Sequence, residues 1–289
     1  MGLFFGNQRT PSDIKFNADG LRFPLVYRIH QKSEFAINNE VINESESDSI
    51  WNINRFTQLE DSYQVGITME EHKVTKCDDI FIALTNFTNL FNIPLQNLIL
   101  TLDNNGMPIE VNNQQDIQQR WQEVKEKNFS QYTNDKDLAP VIEGADLDFS
   151  NTIQLIQNST LYILLFPNVY GMRNRNSLRK FKAQSKIFPL EKLEFDISEK
   201  LQSCSNIDIS FKQYSEVYAP SSFEKKYRDS FGKLLKNKHF DYQNTFNANY
   251  TYSNLNGILK TCEAQLYEQA AEGLFSKVTI SMQLDTQKQ

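Results

Sequence analysis

From Phe240 to Ser253 the chain alternates. Phe240, Tyr242, Asn244, Phe246, Ala248, Tyr250 and Tyr252 stand on the even positions, and Asp241, Gln243, Thr245, Asn247, Asn249, Thr251 and Ser253 on the odd ones. Successive side chains of a strand point to opposite faces, so this order makes one aromatic face and one polar face. Asn256-Gly257 then offers a tight turn, Ala271-Glu272-Gly273 a second, and Val278, Ile280, Met282 and Leu284 resume the alternation. The stretch from 240 to 284 reads as three antiparallel strands in a meander. Such a sheet has an apolar face that must be covered, and the rest of the chain is expected to supply the cover.

Earlier segments repeat the pattern less strongly. Strands are expected over residues 21–30, 34–42, 49–56 and 63–74, with the acidic run Asn43-Glu44-Ser45-Glu46-Ser47-Asp48 as a hairpin tip or loop. The run lacks the glycine and distal glutamate of a calcium loop, so no metal site is expected there. Asp78 or Asp79 can cap a helix carrying Ile80, Leu84, Phe87 and Phe91 on one stripe and ending at Pro94, its aromatics expected in the core. Asp103-Asn104-Asn105-Gly106 joins two further strands. Helices are expected over 115–127, with Ile117, Trp121 and Val124 inward, and over 146–157, while 160–166 suits either a buried strand or a helix turn. In the second half, 193–198 and 207–218 read as strands, and Ser221 or Ser222 opens a basic helix running to Lys236.

The expected fold is therefore α+β: a large, curved antiparallel sheet with helices packed on one face. Three segments are distinguished: a flexible arm at 1–20, an acidic half at 21–170 and a basic, strand-rich half at 171–289, which can also form one continuous domain. Phe188-Pro189-Leu190 echoes Phe23-Pro24-Leu25, each ahead of a strand, as a degenerate duplication would. Only 39% of residues are apolar, but 21 Phe and 12 Tyr supply the bulk for a core.

Charge is unevenly placed. Residues 1–150 hold 12 Lys and Arg against 23 Asp and Glu, whereas residues 151–289 hold 18 against 13. The basic excess concentrates in two stretches, one with Arg173, Arg175, Arg179, Lys180 and Lys182, the other beginning at Lys225 and Lys226. These are candidate docking positions for an acidic protein partner. Nucleic acid is not the expected partner, because the whole chain is acidic and Tyr227 and Phe231 sit at core spacing.

Chemistry is poorly marked. His30, His72 and His239 form no metal-binding spacing, and Cys77, Cys204 and Cys262 are too scattered for a CxxC site. There is no GxSxG, no phosphate-cradling glycine loop and no dinucleotide fingerprint. No catalytic residue, metal or cofactor is expected. The longest apolar run, Leu161–Phe166, is far shorter than the ~20 residues of a membrane helix. With no leader pattern visible and an odd cysteine count, a reducing, cytoplasmic setting is expected.

The leading functional expectation is a soluble, non-catalytic protein-interaction module: an adaptor, a chaperone or an assembly component, with a protein partner or self-association. The alternative is a carrier of an apolar small molecule, held in a groove whose wall includes Tyr242, Phe246, Tyr250 and Tyr252. By architecture, a curved sheet wrapped on helices is similar to the half-barrels of lipoprotein carriers, a resemblance resting on no motif.

Overall fold

The computed structural model describes residues 14–18, 20–132, 135–136, 138–170, 179–188, 191–217, 220–236 and 238–286, with backbone alone at 179, 181 and 216. Among the described residues, eleven strands form one open, curved antiparallel sheet. They are β1 (Leu25–Ile37), β2 (Glu40–Gln58), β3 (Ser62–Cys77), β4 (Asn97–Asp103), β5 (Pro108–Val111), β6 (Arg179–Gln184), β7 (Lys192–Cys204), β8 (Asp208–Val217), β9 (Phe240–Ser253), β10 (Leu259–Ala271) and β11 (Leu274–Leu284). Their order across the sheet is β5-β4-β3-β2-β1-β11-β10-β9-β8-β7-β6. Two meanders thus meet at the centre, where β1 and β11 pair antiparallel from Tyr27 opposite Leu284 to Ala36 opposite Phe275.

The alternation of β9 is realised: Phe246, Ala248, Tyr250 and Tyr252 are buried. Across β10 and β11 the same face continues in register. Ala264 stands opposite Ala248 and Ile280, and Cys262 opposite Tyr250 and Met282. Gly257 and Gly273 take positive φ in the two turns, where a side chain would clash with its own backbone.

Among the described residues, six α-helices accompany the sheet: α1 (Ile82–Asn89), α2 (Gln114–Val124), α3 (Ala139–Ser150), α4 (Thr152–Asn158), α5 (Thr160–Leu165) and α6 (Ser222–Phe231). α2 buries Ile117, Trp121 and Val124. A turn of π-helix follows it and ends on the buried Phe129. The stretch 160–166, open between strand and helix, is helical through Leu165, and Tyr162, Ile163, Leu164 and Leu165 are all buried. The helix expected over 146–157 is instead two, broken at Asn151, whose φ of −135° and ψ of 65° leave the helical region. Ile14 and Phe16, from the expected arm, belong to the core, Phe16 stacking on Phe56 at 3.9 Å between ring centres.

Two local expectations are corrected. Asn43–Asp48 is no loop: β1 runs unbroken to Ile37, Asn38 and Asn39 turn the chain with φ of 54° and 66°, and β2 contains the acidic run. Its glutamates alternate with serines and meet lysines of neighbouring strands, Lys32 lying 2.6 Å from Glu44 and Lys76 2.5 Å from the same carboxylate. Those hydrogen bonds hold Glu44 below the ordinary carboxylate pKa. In α1 the expected stripe splits: Phe87 and Phe91 pack inward, but Ile80 and Leu84 are exposed. A 3-10 turn precedes α1 and another, Leu90–Leu95, follows it, and three residues per turn do not preserve a 3.6-residue stripe.

Candidate functional site

Of the four aromatic residues nominated on β9, three are buried and Tyr242 is half-buried. Phe246, Tyr250 and Tyr252 are at most 2% exposed. Phe211 of β8 stacks on both tyrosines, 4.8 Å from Tyr250 and 5.8 Å from Tyr252. The Tyr250 hydroxyl donates to Gln213 Oε1 at 3.0 Å. Tyr242 lies at the other end of the strand, edge-on to Phe223 of α6 at 5.2 Å, and its hydroxyl donates to Glu268 Oε1 at 3.1 Å. Burial, with the Glu268 charge beside it, raises the Tyr242 pKa well above that of a free phenol.

Of the basic positions, Arg173 and Arg175 lie outside the described residues, and Arg179 is described in backbone only. Lys180 sits 2.6 Å from Glu194 and 3.6 Å from Asp196, Lys182 is 3.7 Å from Glu194, and Lys226 pairs with Glu191. Lys225 is exposed on α6. Lys180 and Lys182 stand at alternate positions of β6, the last strand of the sheet. Lysines there hinder edge-to-edge pairing with another sheet. The two basic stretches therefore have intramolecular partners at several positions.

The structure opens a groove elsewhere, among the helices. Phe87 of α1 and Phe91 and Leu95 of the following 3-10 turn form one wall, Val141, Ala145 and Phe149 of α3 the other, and Leu155 and Tyr162 the base; the space is about 670 Å³. That lies within the ~300–1,000 Å³ of small-molecule sites. The aromatic rings of the two walls are joined behind the groove through Trp121. Phe91 stacks on Trp121 at 5.6 Å and on Phe129 at 5.1 Å, and Trp121 meets Phe149 at 4.8 Å. Trp121 Nε1 donates to Asp146 Oδ1 at 2.8 Å, and Lys125 lies 2.6 Å from that carboxylate, tying α2 to α3. Arg120 fixes the opposite wall, donating to Pro94 O from Nε and Nη2 and to Asn97 O from Nη2.

Small residues make the room. Gly144 lines the groove beside Ala145, and a Cβ added to it would meet nothing within 4 Å. Mid-helix glycine costs about 1 kcal/mol relative to alanine, and here it widens the opening. Asp148 stands on the same wall, its carboxyl raised above the usual range by burial and pulled back by the Lys192 charge. The Gly144-Ala145 pair lies ahead of the helix expected over 146–157, since α3 begins at Ala139, and Asp148 lies inside that range with no pattern to mark it for a groove; the aromatic pair Phe87 and Phe91 is the legible signal.

A second space of about 300 Å³ adjoins the groove, sharing Ser159 and Gln184 with it. Its floor is the sheet itself. Asn244, Glu268 and Ser276 stand opposite one another on β9, β10 and β11, all buried, and all on its wall. Among the described residues, no three His, Cys, Asp or Glu side chains gather as a metal site, and no helix is long and apolar enough to cross a membrane.

No family model matches the chain, and no curated protein does. Among solved structures, a protein from Parabacteroides distasonis named as a candidate lipoprotein is 9% identical, with a TM-score of 0.31 over 90% of this chain and 94% of that one. An outer membrane channel from Pseudomonas putida is 5% identical, with a TM-score of 0.16 over 92% and 97%. Likeness at this level establishes neither a shared fold nor a shared function.

Proposed function

We propose that the protein binds an apolar ligand, or the apolar part of a larger one, in the groove between α1 and α3. What supports this is the 670 Å³ space walled by Phe87, Phe91, Leu95 and Phe149, which the chain's own side chains leave open. Apolar surface facing water is unfavourable by roughly 25 cal/mol per Å², and a bound alkyl chain or ring system would remove that cost. The alternative drawn from the sequence is retained, with the ligand moved from the β9 tyrosines to the helices. A fluorescent fatty-alcohol analogue titrated into the protein should saturate at one equivalent, and Ala145→Trp, which fills the groove, should weaken it at least tenfold. Equal binding by the variant, or no binding by the wild type, overturns the reading.

A protein-interaction module is the second reading, favoured by Ile80, Ile82 and Leu84, large aliphatic side chains exposed on and just before α1. Cross-linking before size exclusion should then recover one stoichiometric partner with the wild-type chain and lose it with Ile80→Ser/Leu84→Ser. A partner retained by that variant counts against this surface.

A further inference from the structure

The polar row beneath the groove indicates which ligand fits. β9, β10 and β11 present apolar side chains to the helices along most of their length: Phe246, Leu266 and Val278 form one rank across the three strands. The adjacent rank is Asn244, Glu268 and Ser276, at 4%, 4% and 5% exposure. A carboxylate in such a place needs donors, and the chain supplies three. Ser185 Oγ donates to Oε1 at 2.5 Å, Tyr242 Oη to Oε1 at 3.1 Å, and the Lys186 amide to Oε2 at 2.7 Å. Oε2 thus accepts one bond and has capacity for another. Ser276 has no hydrogen-bond partner among the described residues, though it is buried and on the chamber wall. Asn244 spends its amide on the Tyr242 oxygen at 3.2 Å, and its carbonyl oxygen makes no bond among the described residues. The 300 Å³ space is therefore walled by a carboxylate, an amide and a hydroxyl that each have accepting capacity to spare. Lys186, the other charged wall residue, is exposed and can keep its ammonium in water.

We propose that the ligand is an amphiphile with a primary ammonium head: the tail lies in the groove between α1 and α3, and the head crosses at Ser159 and Gln184 to donate to Glu268 Oε2, Ser276 Oγ and Asn244 Oδ1. This rests on the groove reading above and adds the chemistry of the head. A primary ammonium supplies three N–H donors and a charge opposite to the carboxylate. An alcohol supplies one donor and no charge, a quaternary ammonium none, and a fatty acid brings a like charge.

The test compares dodecylamine, dodecyltrimethylammonium, dodecanol and dodecanoate, each below its micellar concentration, by displacement of the fluorescent analogue. Wild-type protein should bind dodecylamine at least about tenfold more tightly than the other three, as expected for one charge-assisted bond to a buried carboxylate. Glu268→Gln should remove that preference, and Ser276→Val should reduce it several-fold, each with the fold intact by circular dichroism. Equal wild-type affinity for all four overturns the head assignment while leaving the groove standing, and needs no variant to fold. Loss of the preference in Asp148→Asn rather than Glu268→Gln places the ammonium in the groove and also overturns it. If none of the four displaces the analogue, the groove reading itself fails.

Discussion

The Tyr250 hydroxyl donates 3.0 Å to Gln213 Oε1, and the same amide donates through Nε2 to Pro167 O at 3.1 Å. One buried glutamine of β8 therefore ties β9 to the chain that follows α5. Tyr250→Phe keeps the stack on Phe211 and leaves the Gln213 oxygen without this donor. Chemical denaturation should show a loss of about 1–3 kcal/mol, the cost of stranding a buried acceptor. Tyr250→Ala, which also empties a core site, should cost about 3–5 kcal/mol. Equal effects of the two would mean that the hydrogen bond, not the ring, ties the strands.

Arg120 links α2 to the carbonyls of Pro94 and Asn97. Arg120→Met keeps much of the aliphatic stem but releases the groove wall carrying Phe91 and Leu95. Stability should fall by about 1–3 kcal/mol, and the fluorescent analogue should bind several-fold more weakly. Unchanged binding in a destabilised variant would show that the wall holds without its tether.

His72 lies partly buried, its Nδ1 2.8 Å from Ser49 Oγ. Burial lowers its pKa from the ordinary 6.5, against an opposing hydrogen bond with Asn89. The unfolded chain then takes up a proton at higher pH than the folded one, so stability decreases as pH falls below about 6.5 and levels off once folded His72 is itself protonated. His72→Gln should flatten the urea midpoint between about pH 6.5 and pH 5 relative to wild type. The same slope in both proteins would assign it to other groups.

Gly257 has a φ of +67°, and a Cβ there would collide with the Lys15 carbonyl. Next to it Asn17 N donates to Asn256 O at 3.0 Å. Gly257→Ala should cost more than about 1 kcal/mol from the left-handed backbone alone, and hydrogen exchange should rise at Phe16 and Asn17. Protection retained there would show that the 14–18 segment is held by Phe16 burial and not by the turn.

Ser215 Oγ is buried without a hydrogen-bond partner among the described residues. Ser215→Ala removes an unsatisfied group with little change of volume and should raise the denaturation midpoint, by up to about 1 kcal/mol of stability. A destabilised variant would indicate that the hydroxyl is solvated from within.

Local order was written in the residues themselves. The period of two in 240–252, the Asn-Gly and Glu-Gly turns, and the Ile117, Trp121 and Val124 stripe dictated strand, turn and helix, because those patterns act through neighbours in sequence. The same rule could have recovered the acidic segment of β2, whose glutamates alternate, but its lysine partners Lys32 and Lys76 lie on other strands and become visible only in register. Tertiary structure alone decided that Tyr250 and Tyr252 are core and Tyr242 half-buried, since Phe211, which stacks on the first two, and Phe223, which meets the third, come from other elements. It also decided the site. Phe87 and Phe91 share one groove with Gly144 and Ala145, more than fifty residues later, and Asn244, Glu268 and Ser276 become one row only when three strands pair. Spacing along a chain specifies which face a side chain occupies; packing between elements decides whether that face is filled, covered or left open.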